Sequence, residues 1–306
     1  MNKLRVVLSL ITRDNDYQLE QAKAAEAVAQ QQNVELEIFY ADGNSVTQSA
    51  QLLDAIHKYK AGLGAILVEP AGGTEFPQVS RAAVSTGIAW VVLNRDASSL
   101  ADLRGNFPAP AFAVSSDHKQ VGRIQAQQLA AILPPAATVL CIQGPPNSLA
   151  AQQRLIGLEG AKSASITLKL LKSHNWTEEG GYHAVSSWLR LTTSHKQSLC
   201  AVAAQNDSIA IGARKAFEQA KLLVPGGAWS QLPFLGVDGL PRTGQAFVNR
   251  GLLIATVVVS PVAGLALEAV VKAITTKTVP PELHLIPGYS YPDIESLRRI
   301  AVVTDP

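Results

Sequence analysis

Short continuous apolar runs alternate along the chain with stretches whose apolar positions recur at helical spacing. The runs LRVVLSL (4–10), VELEIFYA (34–41), LGAILVE (63–69), IAWVVLN (88–94), PAFAVSS (110–116), ATVLCIQ (137–143), ITLKLLKS (166–173), LCAVAAQ (199–205), LPFLGVD (232–238) and LIATVVVS (253–260) predict about ten strands. Most lack the in–out alternation of a half-exposed sheet, which suits parallel strands covered on both faces. Between them, residues 17–32 set Leu19, Ala22, Ala25, Val28 and Ala29 on one helical face, and 118–133 do the same with Val121, Ile124, Gln128, Leu129 and Ile132. Further helical patterns fall at 46–60, 76–86, 148–163, 178–192, 207–221 and 261–276. Strand–helix alternation of this kind predicts an α/β fold with parallel sheets.

Ten strands is many for one doubly wound sheet of this length, and the alternation restarts after residue 117. The expectation is therefore two similar α/β lobes with no flexible linker between them, the chain crossing near 114–117 as a strand. Composition narrows the class. Of 306 residues 47% are hydrophobic and 16% charged, the balance of a protein with a large core, and a net charge of +2 is too small for a nucleic-acid footprint. Cys141 and Cys200 each lie in an apolar run, so they read as two buried free thiols rather than a disulfide framework. The apolar run Val6–Ile11 is shorter than the core of an export signal and is followed at once by Thr12-Arg13-Asp14, so it reads as the first strand. On that reading the chain is expected in the cytoplasm if complete, and in the periplasm if an export signal has been trimmed.

In open parallel α/β sheets ligands bind beyond the carboxyl ends of the strands. Here those ends deliver Asn15-Asp16-Tyr17, Glu69-Pro70, Asn94-Arg95-Asp96, Gln143-Gly144, His174-Asn175-Trp176, Gln205-Asn206-Asp207 and Asp238-Gly239. Helix capping accounts for some of them, with Ser148, Thr177 and Asp207 as expected N-caps. It does not account for Arg95 or Trp176. Amide, carboxylate and guanidinium groups beside aromatic rings are the chemistry of hydroxyl recognition: paired donors and acceptors for adjacent hydroxyls, and a flat ring for the C–H face of a sugar. Catalytic signatures are missing. The sequence has no G-x-S-x-G, no phosphate loop, no H-E-x-x-H, no C-x-x-C and no histidine set at metal spacing, so neither an enzyme nor a cofactor is expected.

Six segments together carry a resemblance: VVLNRDA (91–97), FAVSSDHKQVGRIQAQQLA (112–130), QGPPNSLAAQQRLIGLEGA (143–161), AQNDSIAIGARKAFEQA (204–220), LGVDGLPRTGQAFVNRGLLIATVVVSP (235–261) and the Pro-bounded terminal helix. Over nearly its whole length the chain resembles the type I periplasmic binding protein superfamily, in particular ribose-binding-like proteins and the ligand-binding core of Lac repressor-type regulators. The resemblance implies two Rossmann-like lobes joined by three crossover strands. The lobes would be 1–115 with 260–285 and 116–259 with 286–306, closing on a ligand about hinges near 114–116, 258–260 and 285–287. It implies ligand contacts from Asn15, Asp16, Tyr17, Asn94, Arg95, Arg154, Trp176, Asn206 and Asp238. In that scheme Asn206 faces ligand while Asp207 caps the next helix, and neither Arg154 nor Asn206 contributes much to the core. Three positions depart from the ribose binders: Asn94 stands for the usual Asp, Gln18 for a second stacking aromatic and Val259 for a hinge Gln. The implied function is a non-enzymatic binder of a small sugar or polyol, serving a membrane permease. The alternative partner is a sensor kinase reading the protein as a cytoplasmic module. No helix-turn-helix segment precedes the first strand, so a stand-alone transcription factor is not expected.

Overall fold

The computed structural model describes residues 3–59, 62–73, 75–95, 98–191, 198–223 and 232–304. Asp96, His195 and the last residue of the helical pattern at 178–192 therefore lie outside the described residues. The chain forms two compact units. One holds the residues up to Ser116 together with Pro261–Ile286, and the other holds Asp117–Ser260 together with the residues from Pro287 on.

The first unit contains β1 (Arg5–Leu10), α1 (Asp16–Gln31), β2 (Glu35–Tyr40), α2 (Ser45–Tyr59), β3 (Leu63–Val68), α3 (Pro77–Ser85), β4 (Ala89–Leu93), α4 (Leu100–Asn106) and β5 (Ala111–Ser116). The returning chain adds α10 (Ala263–Thr276) and β11 (Leu283–Ile286). Its sheet has the order β11-β5-β4-β3-β1-β2, every pairing parallel. The second unit contains α5 (His118–Ile132), β6 (Ala137–Gln143), α6 (Leu149–Ala161), β7 (Ile166–Lys172), α7 (Glu178–Leu189), β8 (Ala201–Ala204), α8 (Asp207–Leu223), β9 (Phe234–Asp238), α9 (Gly244–Asn249), β10 (Ala255–Val258), β12 (Tyr289–Tyr291) and α11 (Ile294–Thr304). Its sheet runs β12-β10-β9-β8-β6-β7, with β12 alone antiparallel, on β10. Strand order reverses between β1 and β3 in one sheet and between β6 and β8 in the other. Such a switch point opens a crevice at the carboxyl ends of the strands.

The continuous apolar runs are explained by double coverage. On β1, Val6, Leu8 and Leu10 pack toward the helix pair α1 and α10, while Val7 joins Leu52, Ile66, Trp90 and Leu103 on the opposite face. On β6, Leu140 and Ile142 face α7 and α8, and Val139 and Cys141 face α5 and α6. Helices α5 and α6 touch backbone to backbone, since a Cβ on Gly122 would lie 2.0 Å from the Arg154 carbonyl oxygen and one on Gly157 2.0 Å from that of Lys119. Arg154 is thus carried on a helix with no room to slide.

Several expectations need correcting. Leu19 is exposed, and the buried face of α1 is Gln18, Gln21, Ala22, Ala25 and Ala29. The helix is rotated because two glutamine amides find buried partners, which apolar periodicity alone does not reveal. The strand β11 lies where the third crossover is expected near 285–287, whereas β12 and the short helices α4 and α9 have no counterpart among the expected elements. The two strands sit at sheet edges, where three of their seven residues are exposed and no apolar run marks them. Cys141 is buried, with its thiol pushed up to about 12 by burial, but Cys200 is only half-buried because it precedes β8 instead of lying within it.

Candidate functional site

In the first unit the loop after β1 turns into α1 through Asn15, whose Oδ1 accepts from the backbone N–H groups of Tyr17 at 2.9 Å and Gln18 at 3.3 Å. Asp16 occupies the exposed first turn, where a negative charge suits the helix dipole. The Tyr17 hydroxyl donates to Asn94 Oδ1 at 3.4 Å. Asn94 follows β4 with a φ of 56°, a left-handed conformation that Asn tolerates better than most residues. Arg95 follows it and is 8% exposed.

A residue outside the implied contact set organises this cluster. Glu69, which follows β3, is 7% exposed. Its carboxylate accepts from Gln21 Nε2 at 3.3 Å, is hydrogen-bonded by Gln18 and Asn94, and feels the positive charge of Arg95. Burial nonetheless raises its pKa above the ordinary carboxylate value, the four partners offsetting only part of the desolvation. Gln48 holds the backbone on either side, donating to the Glu69 carbonyl at 2.9 Å and to Ser9 Oγ at 2.9 Å, and accepting from Ala71 N–H at 2.8 Å. Asn94 replaces an aspartate in the ribose-binder pattern, and this unit recovers a carboxylate one strand away. The available signal was a lone acid closing an apolar run in front of Pro70.

In the second unit Ser148 caps α6, accepting from Ala151 N–H at 3.4 Å, and Thr177 caps α7, accepting from Gly180 N–H at 3.1 Å. Arg154 projects from α6 and is 6% exposed. One terminal nitrogen donates to the Gln205 carbonyl and the other to Asp238 Oδ1 at 3.4 Å. The guanidinium lies 5.5 Å from the Trp176 ring centre. Trp176 lies against Gly144, where a Cβ would come within 2.1 Å of the indole. Gln205 fastens the strand ends together, accepting from Gly144 N–H and donating to the Ala151 carbonyl, both at 2.9 Å. Two buried donors, Gln143 Nε2 and Arg154 Nε, have no partner among the described residues.

Here the cap expected of Asp207 falls to Asn206. Asn206 supplies the cap of α8, its Oδ1 accepting from Ile209 N–H at 2.8 Å while its Nδ2 donates to the Trp176 carbonyl at 2.9 Å. Asp207 turns inward, accepting from Gly239 N–H and from the Thr256 hydroxyl, both at 2.7 Å. Its pKa stands well above the usual value, first because it is buried and next because Asp238 repels its charge; Thr256, Gly239 and Arg154 pull the other way. The expectation that Arg154 and Asn206 add little to the core is also corrected, because both are tied into the strand ends of their unit. Asp238 closes β9 with a φ of 101° and keeps part of its surface open.

The first unit thus brings together Tyr17, Asn94, Arg95 and Glu69, the last a strand-end residue outside the implied contact set, with Asn15 capping α1 and Asp16 facing outward. The second brings together Arg154, Trp176 and Asp238, with Asn206 binding the Trp176 backbone. Each set mixes fixed donors, a carboxylate and an aromatic ring at the carboxyl ends of its own strands, a composition suited to vicinal hydroxyls. Among the described residues no group of three His, Cys, Asp or Glu side chains is placed to hold a metal ion, and no helix is long and apolar enough to cross a membrane.

A family model described as the periplasmic binding protein domain matches residues 6–278. The chain is 27% identical over 277 residues to a xylitol-binding protein of Mycolicibacterium smegmatis, covering 87% of this chain and 72% of that protein. It is 26% identical over 193 residues to a putative rhizopine-binding protein of Rhizobium meliloti, covering 61% of this chain and 58% of that one. Among solved structures, an ABC transporter periplasmic solute-binding protein of Actinobacillus succinogenes with bound D-allose superposes with a TM-score of 0.81 at 24% identity, covering 97% of this chain and 100% of the other. A solute-binding protein of Bacillus halodurans with bound myo-inositol gives 0.80 at 20% identity, with 98% of each chain covered.

Proposed function

The chain belongs to the periplasmic binding protein domain family, and from that premise we propose that it binds a small sugar or polyol, without chemical turnover, as the solute-binding component of an ABC transporter. One observation carries the reading. Glu69, Arg95 and Arg154, three charged side chains 7%, 8% and 6% exposed, stand at strand ends among amides and aromatic rings. Burying charge is costly unless it is paired, and a hydrophobic replacement would serve stability as well. Retained charge at the carboxyl ends of parallel strands is accounted for by a polar ligand. The relatives point to its class, since the compounds named with them are xylitol, D-allose and myo-inositol. The permease is the proposed partner on the same grounds.

The ligand contacts proposed are Tyr17, Asn94, Arg95, Arg154, Trp176 and Asp238, with Glu69 added. Asn15, Asp16 and Asn206 take supporting roles at helix starts. Isothermal titration of the protein with aldoses, alditols and inositols tests the proposal. Stoichiometric binding that is weakened by Arg95→Met and, separately, by Arg154→Met supports it. Release of a chemically altered product would overturn the non-enzymatic part, and binding indifferent to both variants would overturn the assigned contacts.

A further inference from the structure

Gln21 stands out among the buried amides because its two ends serve different parts of the first unit. It is 0% exposed. Its Nε2 donates to Glu69 Oε2 at 3.3 Å, and its Oε1 accepts from the backbone N–H of Ala263 at 2.8 Å. Ala263 is the first residue of α10, two residues after the chain enters this unit at Pro261. The N-cap residue of that helix, Val262, makes no side-chain cap bond. A first-turn N–H of a helix needs an outside acceptor, and here α1 provides it through Gln21. The two helices also meet closely, since a Cβ on Gly264 would lie 2.9 Å from the Ala24 carbonyl oxygen.

We infer that Gln21 is a positioning residue that aims the Glu69 carboxylate and links it to the start of α10, so that a ligand engaging Glu69 is felt where the chain crosses into this unit. The inference deepens the proposed function and rests on Glu69 facing the ligand. The amide can serve both ends only in one orientation, with its oxygen toward Ala263 and its nitrogen toward Glu69. A ligand hydroxyl donating to Glu69 would draw the carboxylate from Gln21 and loosen its hold on Ala263. The groups facing Glu69 are Gln18 and Gln21 from α1, Asn94 and Arg95 beyond β4, and Gln48 of α2 on its backbone carbonyl.

Amide exchange at Ala263 tests the link without ligand. In Glu69→Met the Gln21 amide loses its second anchor, and Ala263 exchange should speed up by about tenfold, the equivalent of one ordinary hydrogen bond. Exchange at Ala266, whose acceptor is the Val262 carbonyl, should change by less than twofold. Gln21→Met should release Ala263 to a similar degree. The same variant should move the carbon-13 titration of the Glu69 carboxyl to higher pH, since it removes a donor that favours the charged form. Unchanged Ala263 exchange in Glu69→Met overturns the link and leaves Gln21 a helix cap. That arm does not depend on Gln21→Met folding. Titration with xylitol, D-allose and myo-inositol reads the other premise: binding by Glu69→Met equal to wild type overturns the ligand half of the inference, whatever the exchange rates.

Discussion

Replacing Arg154 with Met keeps most of the stem that packs along α6 and removes the guanidinium. The Gln205 carbonyl loses its donor, and Asp238 loses its guanidinium partner while Asp207 stays beside it. Removing one partner of a buried ion pair costs about 3–5 kcal/mol. The lower end applies here, because the Asp238 side chain is 15% exposed and the contact is 3.4 Å. A loss of about 3 kcal/mol lowers the melting temperature by about 6–12 °C in a unit of this size. Calorimetric melting of the ligand-free protein at pH 7 measures it. Asp238→Asn and the double variant complete a cycle in which the pair should show a coupling of about 1–3 kcal/mol. The second readout is affinity. A charge-assisted hydrogen bond to a ligand hydroxyl contributes roughly 1.5–3 kcal/mol, so binding should weaken by about 10- to 150-fold. A ligand-free melting temperature within about 1 °C of wild type would refute the structural half of this reasoning. A lowered melting temperature with affinity within twofold would make Arg154 a brace for Asp238 and Gln205 and remove it from the contacts.

Asp207→Asn should be tolerated, since the amide can still accept from Gly239 N–H and can donate to the Thr256 hydroxyl, which reverses its role. A carboxyl whose folded pKa is raised binds its proton more tightly when folded. Its contribution to stability therefore grows as pH falls from the folded value toward the unfolded value of about 3.9, and is absent above. The Asn variant should thus melt higher than wild type at pH 7 and lose that advantage on acidification; a gap that widens toward pH 4 would contradict this. Asn206→Ala removes the α8 cap and the tether on Trp176, and should cost about 1–2 kcal/mol in chemical denaturation; an unchanged midpoint would deny the cap its role. A thiol reagent should label Cys200 in the native protein and leave Cys141 untouched until unfolding; two equally fast labels would contradict the burial of Cys141.

Much of the architecture was legible because burial on both faces writes itself as continuous apolar runs. Eight of the strands from β1 to β10 fall within such runs, the sheet-edge strands β2 and β7 carrying charged residues in theirs, and the restart after residue 117 marks the second unit. Edges were harder to read. In β11 the residues Leu283 and Leu285 are exposed, so LHLI between prolines carries neither a core run nor a turn signature. The strand-end residues were visible as a set, because Arg95 and Trp176 follow apolar strands where capping has no use for them. Their division of labour was not. Whether Asn206 or Asp207 caps α8 depends on which side chain the Gly239 N–H and Thr256 hydroxyl can reach, and those groups lie more than thirty residues away. Gln18 and Gln21 were hidden for a related reason. A buried glutamine breaks the apolar stripe of a helix, and only the partner from another element, Ile11 for one and Glu69 with Ala263 for the other, explains its place.

The central claim is that this chain holds a small polyhydroxy compound, and calorimetric titration of the purified protein with D-allose, xylitol, myo-inositol and a panel of other aldoses and alditols tests it most directly. At least one compound should bind with a stoichiometry of one. At a hundred times its dissociation constant it should stabilise the protein by about 2.7 kcal/mol, and it should be recovered unchanged. No heat and no shift in melting temperature with any member of the panel at millimolar concentration would contradict the claim.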